Sequence, residues 1–162
     1  MITVIRIDDR LVHGQVIEGW VRVLNLDKII LIDDQVAGDY FQRKIMKMAL
    51  PPGLEILFVT VAEALMQWAS WSSSPDQSIV LVSNPRVILT LLEQGILLKA
   101  LNVGCMHFEQ GKEMILKSVY LSREEKEIFK KISAYGVAIE GQGIPAEKST
   151  SMNALLEGAE HE

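Results

Sequence analysis

An α/β fold, doubly wound around a mostly parallel, twisted sheet of about six to seven strands with helices on both faces, is the architecture this sequence predicts. Three observations carry that reading. Short apolar runs recur along the chain, segments of helical period separate most of them, and capping residues punctuate the helical segments. Ile2 to Ile7, Lys28 to Ile32, Leu54 to Val59, Ile79 to Val82, Leu98 to Val103 and Val137 to Ile139 read as strands. A weaker run, Lys117 to Leu121, suits a short edge or antiparallel strand. After the first strand Val16, Ile17, Trp20, Val21 and Leu24 share one helical face, and after the second Ala37, Phe41, Ile45 and Met48 share another. Thr60 with Glu63 forms a capping box, and Asn84 followed by Pro85 opens a helix that Gly95 stops. Ser122 with Glu125 opens one that Gly136 closes. Strands with few polar faces belong in a sheet covered on both sides, which is why the parallel arrangement is expected.

At 162 residues, 49% of them apolar, the chain has the size and core material of one compact domain spanning residues 1–162. Ser70 to Gln77 is a polar loop, and the tail from Lys148 onward reads as loosely held. Sixteen basic against twenty-one acidic residues give a net charge of -5, with the basic residues scattered rather than striped. Nucleic acid and an acidic membrane surface are therefore poor partners. No apolar run approaches the roughly 18 residues of a membrane span, and the chain opens without a charged leader and apolar core, so it reads as cytoplasmic. A single cysteine, Cys105, excludes an intramolecular disulfide and a cysteine cage for a metal, so neither redox nor zinc chemistry is expected.

The stretch IRIDDRLVHGQV, Ile5 to Val16, concentrates titratable groups where the first strand ends and a helix begins. In open α/β sheets ligands bind at the carboxyl ends of the strands, near the reversal of strand order. A helix N-terminus there attracts an anion, and Gly14 has no side chain to obstruct the approach. Arg10 supplies a planar, permanently charged fork suited to phosphoryl oxygens. His13 supplies a nucleophile: an imidazole, with its reference pKa of about 6.5, can accept a phosphoryl group on one ring nitrogen while a carboxylate or carbonyl holds the other. Asp8 or Asp9 is placed to hold the ring or the arginine. The bland alternative is a solvated loop histidine, and composition and spacing alone do not decide between the two.

The decapeptide IDDRLVHGQV resembles the active-site segment of the IIB component of the mannose/fructose/sorbose-type sugar phosphotransferase system (PTS). The later stretches IDDQVAGD from Ile32, ALPPG from Ala49, VSNP from Val82 and NVGCMHFEQGK from Asn102 resemble that family's later segments in order and spacing, so the resemblance covers nearly the whole chain. It implies a phosphocarrier: His13 accepts a phosphoryl group from the phosphohistidine of a IIA protein and passes it to a hexose-type sugar during uptake through IIC/IID membrane partners. Arg10 balances the phosphoryl charge, and Asp9, Gly14 and Gln15 complete the anion-binding set. Asp34, Asn84, Gly104 and Met106, each following a strand, are implied loop contacts at the same edge. No cofactor and no metal are implied, and the domain associates peripherally with its membrane transporter. Two departures stand out. Cys105 replaces an expected glycine, and Pro145, Ala146 and Glu147 replace a proline followed by an aspartate.

Asp8, Asp9, Asp33 and Asp34 together suit Mg²⁺, as in domains that phosphorylate an aspartate. That rival needs an aspartate after the third strand and a lysine after the fifth, where this chain reads FVTV and NVGCM. His107 reads as structural or solvated, and Cys105 as a small loop residue with no electropositive neighbour to activate it. Gly141 and Gly143 lack the third glycine of a dinucleotide loop and form a turn, and Gln110 to Lys112 lack the glycine run of a P-loop. Trp20 and Trp68 read as core, with Trp71 at an exposed helix end. A regulatory module that uses His13 as a phosphorylation-sensitive switch, without a transporter, needs the same turn, and gene neighbours encoding IIC and IID partners would separate the two.

Overall fold

The structure, a computed structural model, describes residues 1–158; His161, read above as tail, lies outside the described residues. Seven strands form one sheet in the order β3-β2-β4-β1-β5-β8-β9. They are β1 (Ile2–Asp8), β2 (Lys28–Ile32), β3 (Glu55–Val59), β4 (Ser78–Val82), β5 (Ala100–Cys105), β8 (Ala138–Gly141) and β9 (Thr150–Ser151). All pairings are parallel except that of β8 with β9. The helices are α1 (Asp34–Ala37), α2 (Tyr40–Met48), α3 (Val61–Ser73), α4 (Pro85–Glu93), α5 (Arg123–Ala134) and α6 (Met152–Gly158), together with an opening helix at Gln15–Val21.

Alternation along the strands makes the two cores. Ile30 and Ile32 of β2 and Val80 and Val82 of β4 face one cluster, which takes in Trp68 and Trp71 of α3, Leu91 of α4 and Phe129 of α5. Ile29, Leu31, Ile79 and Leu81 face the other, closed by Val16, Ile17, Trp20 and Val21 of the opening helix. Trp71 is thus buried, against the expectation of an exposed helix end, and packs edge-on against Trp68 at 6.2 Å.

The predicted punctuation is present. Thr60 with Glu63 and Ser122 with Glu125 form complete capping boxes, and the Asn84 side chain accepts from the Arg86 N–H ahead of α4. Gly95 and Gly136, which end the turns after α4 and α5, both have positive φ.

Two expectations are corrected and one is borne out. The helix expected over Ala37 to Met48 is two: Asp39 caps a new start by accepting from the Phe41 and Gln42 N–H groups. Its apolar stripe faces outward, leaving Phe41, Ile45 and Met48 exposed rather than in a core. The weak run near Lys117, expected as a short edge or antiparallel strand, is the latter: β7 (Val119–Leu121) pairs antiparallel with β6 (Glu113–Leu116) in a hairpin outside the main sheet. The tail from Lys148 is not loose through Gly158: β9 pairs with β8, and α6 buries Met152 and Leu156, four residues apart on one face. Asn153 fastens it, accepting the Ile139 N–H at 2.7 Å and donating to the Val137 carbonyl at 3.0 Å.

Candidate functional site

β1 lies between β4 and β5, so the chain crosses from one side of β1 to the other on passing from β4 to β5, and Asp8, the last residue of β1, stands opposite Cys105, the last residue of β5. This is the reversal point at which doubly wound sheets open a crevice. The turn leaving β1 is tight and costly. Leu11 adopts φ 58°, a left-handed conformation that disfavours residues with a Cβ, while its side chain is buried in the second core. Its N–H closes the turn on the Asp8 carbonyl at 2.9 Å.

That turn folds Arg10 and His13 back onto Asp8. His13 Nε2 lies 2.9 Å from Asp8 Oδ2, and Arg10 donates to Asp8 Oδ1 through its backbone N–H at 3.1 Å and its Nε at 3.3 Å. Arg10 also donates to the Gln15 side-chain oxygen at 2.9 Å. The Gln15 backbone N–H points at His13 Nδ1 from 3.3 Å. A backbone N–H can only donate, so Nδ1 is an acceptor and the ring proton sits on Nε2, donating to Asp8. The imidazole thus has one nitrogen held by a buried carboxylate and the other bearing its lone pair toward the helix N-terminus. Of the opening helix, the Val16 and Ile17 N–H groups already donate to the His13 carbonyl, so fewer donors are free than expected. A Cβ at Gly14 would meet nothing within 4 Å, which leaves the approach open.

Behind Asp8 stands a second arginine, which the sequence reading missed. Arg6 is fully buried and donates to Asp8 Oδ2 at 3.1 Å, to the Gln142 and Gly143 carbonyls at 2.9 and 3.1 Å, and to the Asn102 side chain. Its guanidinium lies 5.0 Å from the centre of the Trp20 ring, whose own N–H donates to Gly143 at 2.9 Å. Gly104 exists for this arginine: a Cβ there would come within 1.8 Å of the guanidinium. Burial would push the Asp8 carboxyl up, but His13, Arg6 and Arg10 outweigh it and hold the group below the ordinary carboxylate range. Alternation offered the only sequence signal, since Arg6 and Asp8 share one face of β1, the face that also meets EGQG, the stretch read as a plain turn.

The two aspartates part company. Asp9, expected among the anion-binding residues, makes no hydrogen bond with Arg10 or His13; its Oδ2 accepts the His107 backbone N–H at 2.7 Å, and its Oδ1 lies 2.7 Å from His107 Nδ1. Cys105 sits beside them, its thiol pushed up to about 11 by burial and by Asp9, which removes it as a nucleophile. Asp34 and Asn84 are engaged elsewhere, Asp34 accepting from the Val61 N–H and Asn84 capping α4. Met106 is buried and ties β5 to the hairpin through the Ser118 carbonyl. A cleft of about 330 Å³ opens beside Gln15 and Gly104, lined also by Lys117, Ser118 and Gln142.

Known proteins share this arrangement of chain. The family described as PTS system sorbose subfamily IIB component matches residues 2–162. The sorbose-specific EIIB component of Lacticaseibacillus casei is 32% identical over 157 residues, covering 97% of this chain and 96% of that protein. The mannose-specific EIIAB component of Escherichia coli (strain K12) is 32% identical over 151 residues, 93% of this chain and 47% of that protein. The IIBSor domain of the sorbose permease from Klebsiella pneumoniae superposes with a TM-score of 0.88 at 30% identity, covering 98% of this chain and 97% of that one. Fold, sequence and the conjunction of Asp8, Arg10 and His13 at the sheet's reversal point lead to one conclusion: this chain belongs to the sorbose-type IIB components of the sugar phosphotransferase system.

Proposed function

We propose that the protein is a phosphocarrier that takes a phosphoryl group onto His13 from the phosphohistidine of a IIA protein and hands it to a sugar entering through IIC/IID membrane partners. In this reading the domain is cytoplasmic and meets the membrane only through those partners; among the described residues no helix is long and apolar enough to cross a bilayer. The observation that carries the reading is the orientation of His13, with Nε2 against Asp8 and Nδ1 left as an unprotonated acceptor facing the Gln15 N–H beside the unobstructed Gly14.

Released from the long hydrogen bond of the Gln15 N–H, the Nδ1 lone pair attacks the phosphorus of the donor, and the donor's N–P bond breaks with its electron pair returning to the donor imidazole. As Nδ1 gains a substituent the ring becomes cationic, and the Nε2–H bond to anionic Asp8 strengthens when it is most needed. Arg10, a third exposed and already oriented by Asp8 and Gln15, can pair with the phosphoryl oxygens with little reorganisation. In the second half a sugar hydroxyl attacks the phosphorus, the Nδ1–P bond breaks with its electrons returning to the ring, and the hydroxyl proton leaves to a base on the transporter side. Arg6, out of solvent, holds Asp8 in place and anionic throughout.

Incubation with a phosphorylated IIA protein tests this: one acid-labile, base-stable phosphate is expected on the wild type and none on His13→Ala. Label persisting on the variant overturns the assignment.

A further inference from the structure

The neighbour of the phosphoryl site is a cluster with no part in that reading. Asp9, Cys105 and His107 each direct a potential ligand atom to one place, all three atoms lying within 4.8 Å of one another. Asp9 Oδ1 is 2.7 Å from His107 Nδ1, and Cys105 Sγ is 4.0 Å from the ring nitrogens. Asp9 Oδ1 is shielded from solvent and makes no well-aligned hydrogen bond, although the His107 ring and the Cys105 thiol both lie beside the carboxylate. A buried carboxylate oxygen with poorly aligned donors and two potential metal ligands beside it is suited to a cation.

The frame holding these atoms is rigid. The Asp9 N–H donates to the Cys105 carbonyl at 3.0 Å, the His107 N–H donates back to Asp9 Oδ2 at 2.7 Å, and Cys105 ends β5 opposite Asp8, just past an irregularity in the β1–β5 register. Only the His107 ring is largely exposed and free to adjust. One cysteine cannot make a cysteine cage, but one thiolate, one imidazole and one carboxylate make the mixed set that suits a borderline-soft divalent ion. Tetrahedral zinc, with ligands at about 2.0–2.3 Å, places its donor atoms roughly 3.3–3.8 Å apart. The observed 2.7 and 4.0 Å separations bracket that range.

We propose that Asp9, Cys105 and His107 form a three-ligand site for Zn²⁺, with the fourth position open to solvent on the His107 side. On binding, the ion takes the thiolate, and the thiol proton passes to solvent. The ion then bridges the turn that carries Arg10 and His13 to the end of β5, adding positive charge one residue from Asp8. This inference does not rest on the phosphoryl reading, because its test uses the metal alone.

Co²⁺ titrated into the purified full chain, free of chelator and added thiol, reports the site through its thiolate-to-metal charge-transfer band. One equivalent should develop the band, and Zn²⁺ should bleach it. Cys105→Ser should abolish it. His107→Gln, a change at an exposed side chain that leaves the fold intact, should weaken binding at least about tenfold, whereas His13→Gln should leave the titration unchanged. Absence of the band in the wild type overturns the site. So does a band in Cys105→Ser, or an undiminished titration in His107→Gln.

Discussion

Asp8 and Asp9 are adjacent, identical in chemistry and opposite in circumstance. Asp8 has a side chain without solvent exposure and serves two arginines and a histidine at once; Asp9, 27% exposed, meets a single largely exposed histidine and the end of β5. Strand alternation turns them to different sides, and the strained turn at Leu11 then brings Arg10 and His13 to the first and not the second. What organises the proposed phosphoryl site is therefore the number of charged partners converging on one buried carboxylate, not the local density of acids.

The largest way to break that contrast is to neutralise Asp8. Asp8→Asn leaves Arg6 buried without its counter-charge, and breaking a buried pair costs roughly 3–5 kcal/mol, so the urea midpoint should fall steeply. The pH dependence follows from the same carboxylate. Because its folded pKa lies below the unfolded value near 3.8, its contribution is fully present above that value and is lost as pH falls through the lower, folded one. The wild type should lose stability on that acid limb, and Asp8→Asn should show a flatter limb. If the variant keeps the wild-type midpoint and slope, the convergence on Asp8 carries no weight.

Arg10→Lys sharpens the comparison at the level of chemistry. A point charge replaces a fork already oriented by Asp8 and Gln15, so phosphoryl transfer should slow by roughly 10- to 1000-fold, while calorimetry finds affinity for the IIA partner nearly unchanged. Normal transfer with weakened binding would instead make Arg10 a docking residue. Gly104→Ala acts one step further back, pressing a methyl group into the Arg6 guanidinium at a cost of roughly 1–3 kcal/mol, with transfer slowed because Asp8 is displaced. A variant as stable and as active as the wild type would separate Gly104 from the site. The smallest effect belongs to the other aspartate: Asp9→Asn should change stability by less than about 1 kcal/mol, and a loss as large as that at Asp8 would erase the distinction.

The sheet was legible because its strands are apolar runs and its helices begin with side chains that satisfy specific N–H groups, as at Thr60, Asn84 and Ser122. What escaped were elements with little hydrophobic signal. β9 is two residues long, and β6 is a partly exposed arm whose pairing depends on its hairpin. At α2 a helical stripe was visible, but periodicity says only that apolar residues share a face, and here that face turns to solvent. The candidate site divided in the same way. Arg10, His13 and Gly14 share one turn and could be read together, whereas Arg6 depends on Gly104, Asn102 and the Gln142–Gly143 carbonyls, partners 96 to 137 residues away. No local pattern distinguishes such an arginine from one that alternates to a solvent face.

The central claim is that Asp8, by holding Nε2–H, leaves Nδ1 as the atom that takes the phosphoryl group. Nitrogen-15 and phosphorus-31 NMR on the phosphorylated protein, with its histidines labelled, tests it most directly. The expected result is a phosphorus coupled to Nδ1 of His13, with Nε2 still protonated; a phosphorus on Nε2 would contradict it.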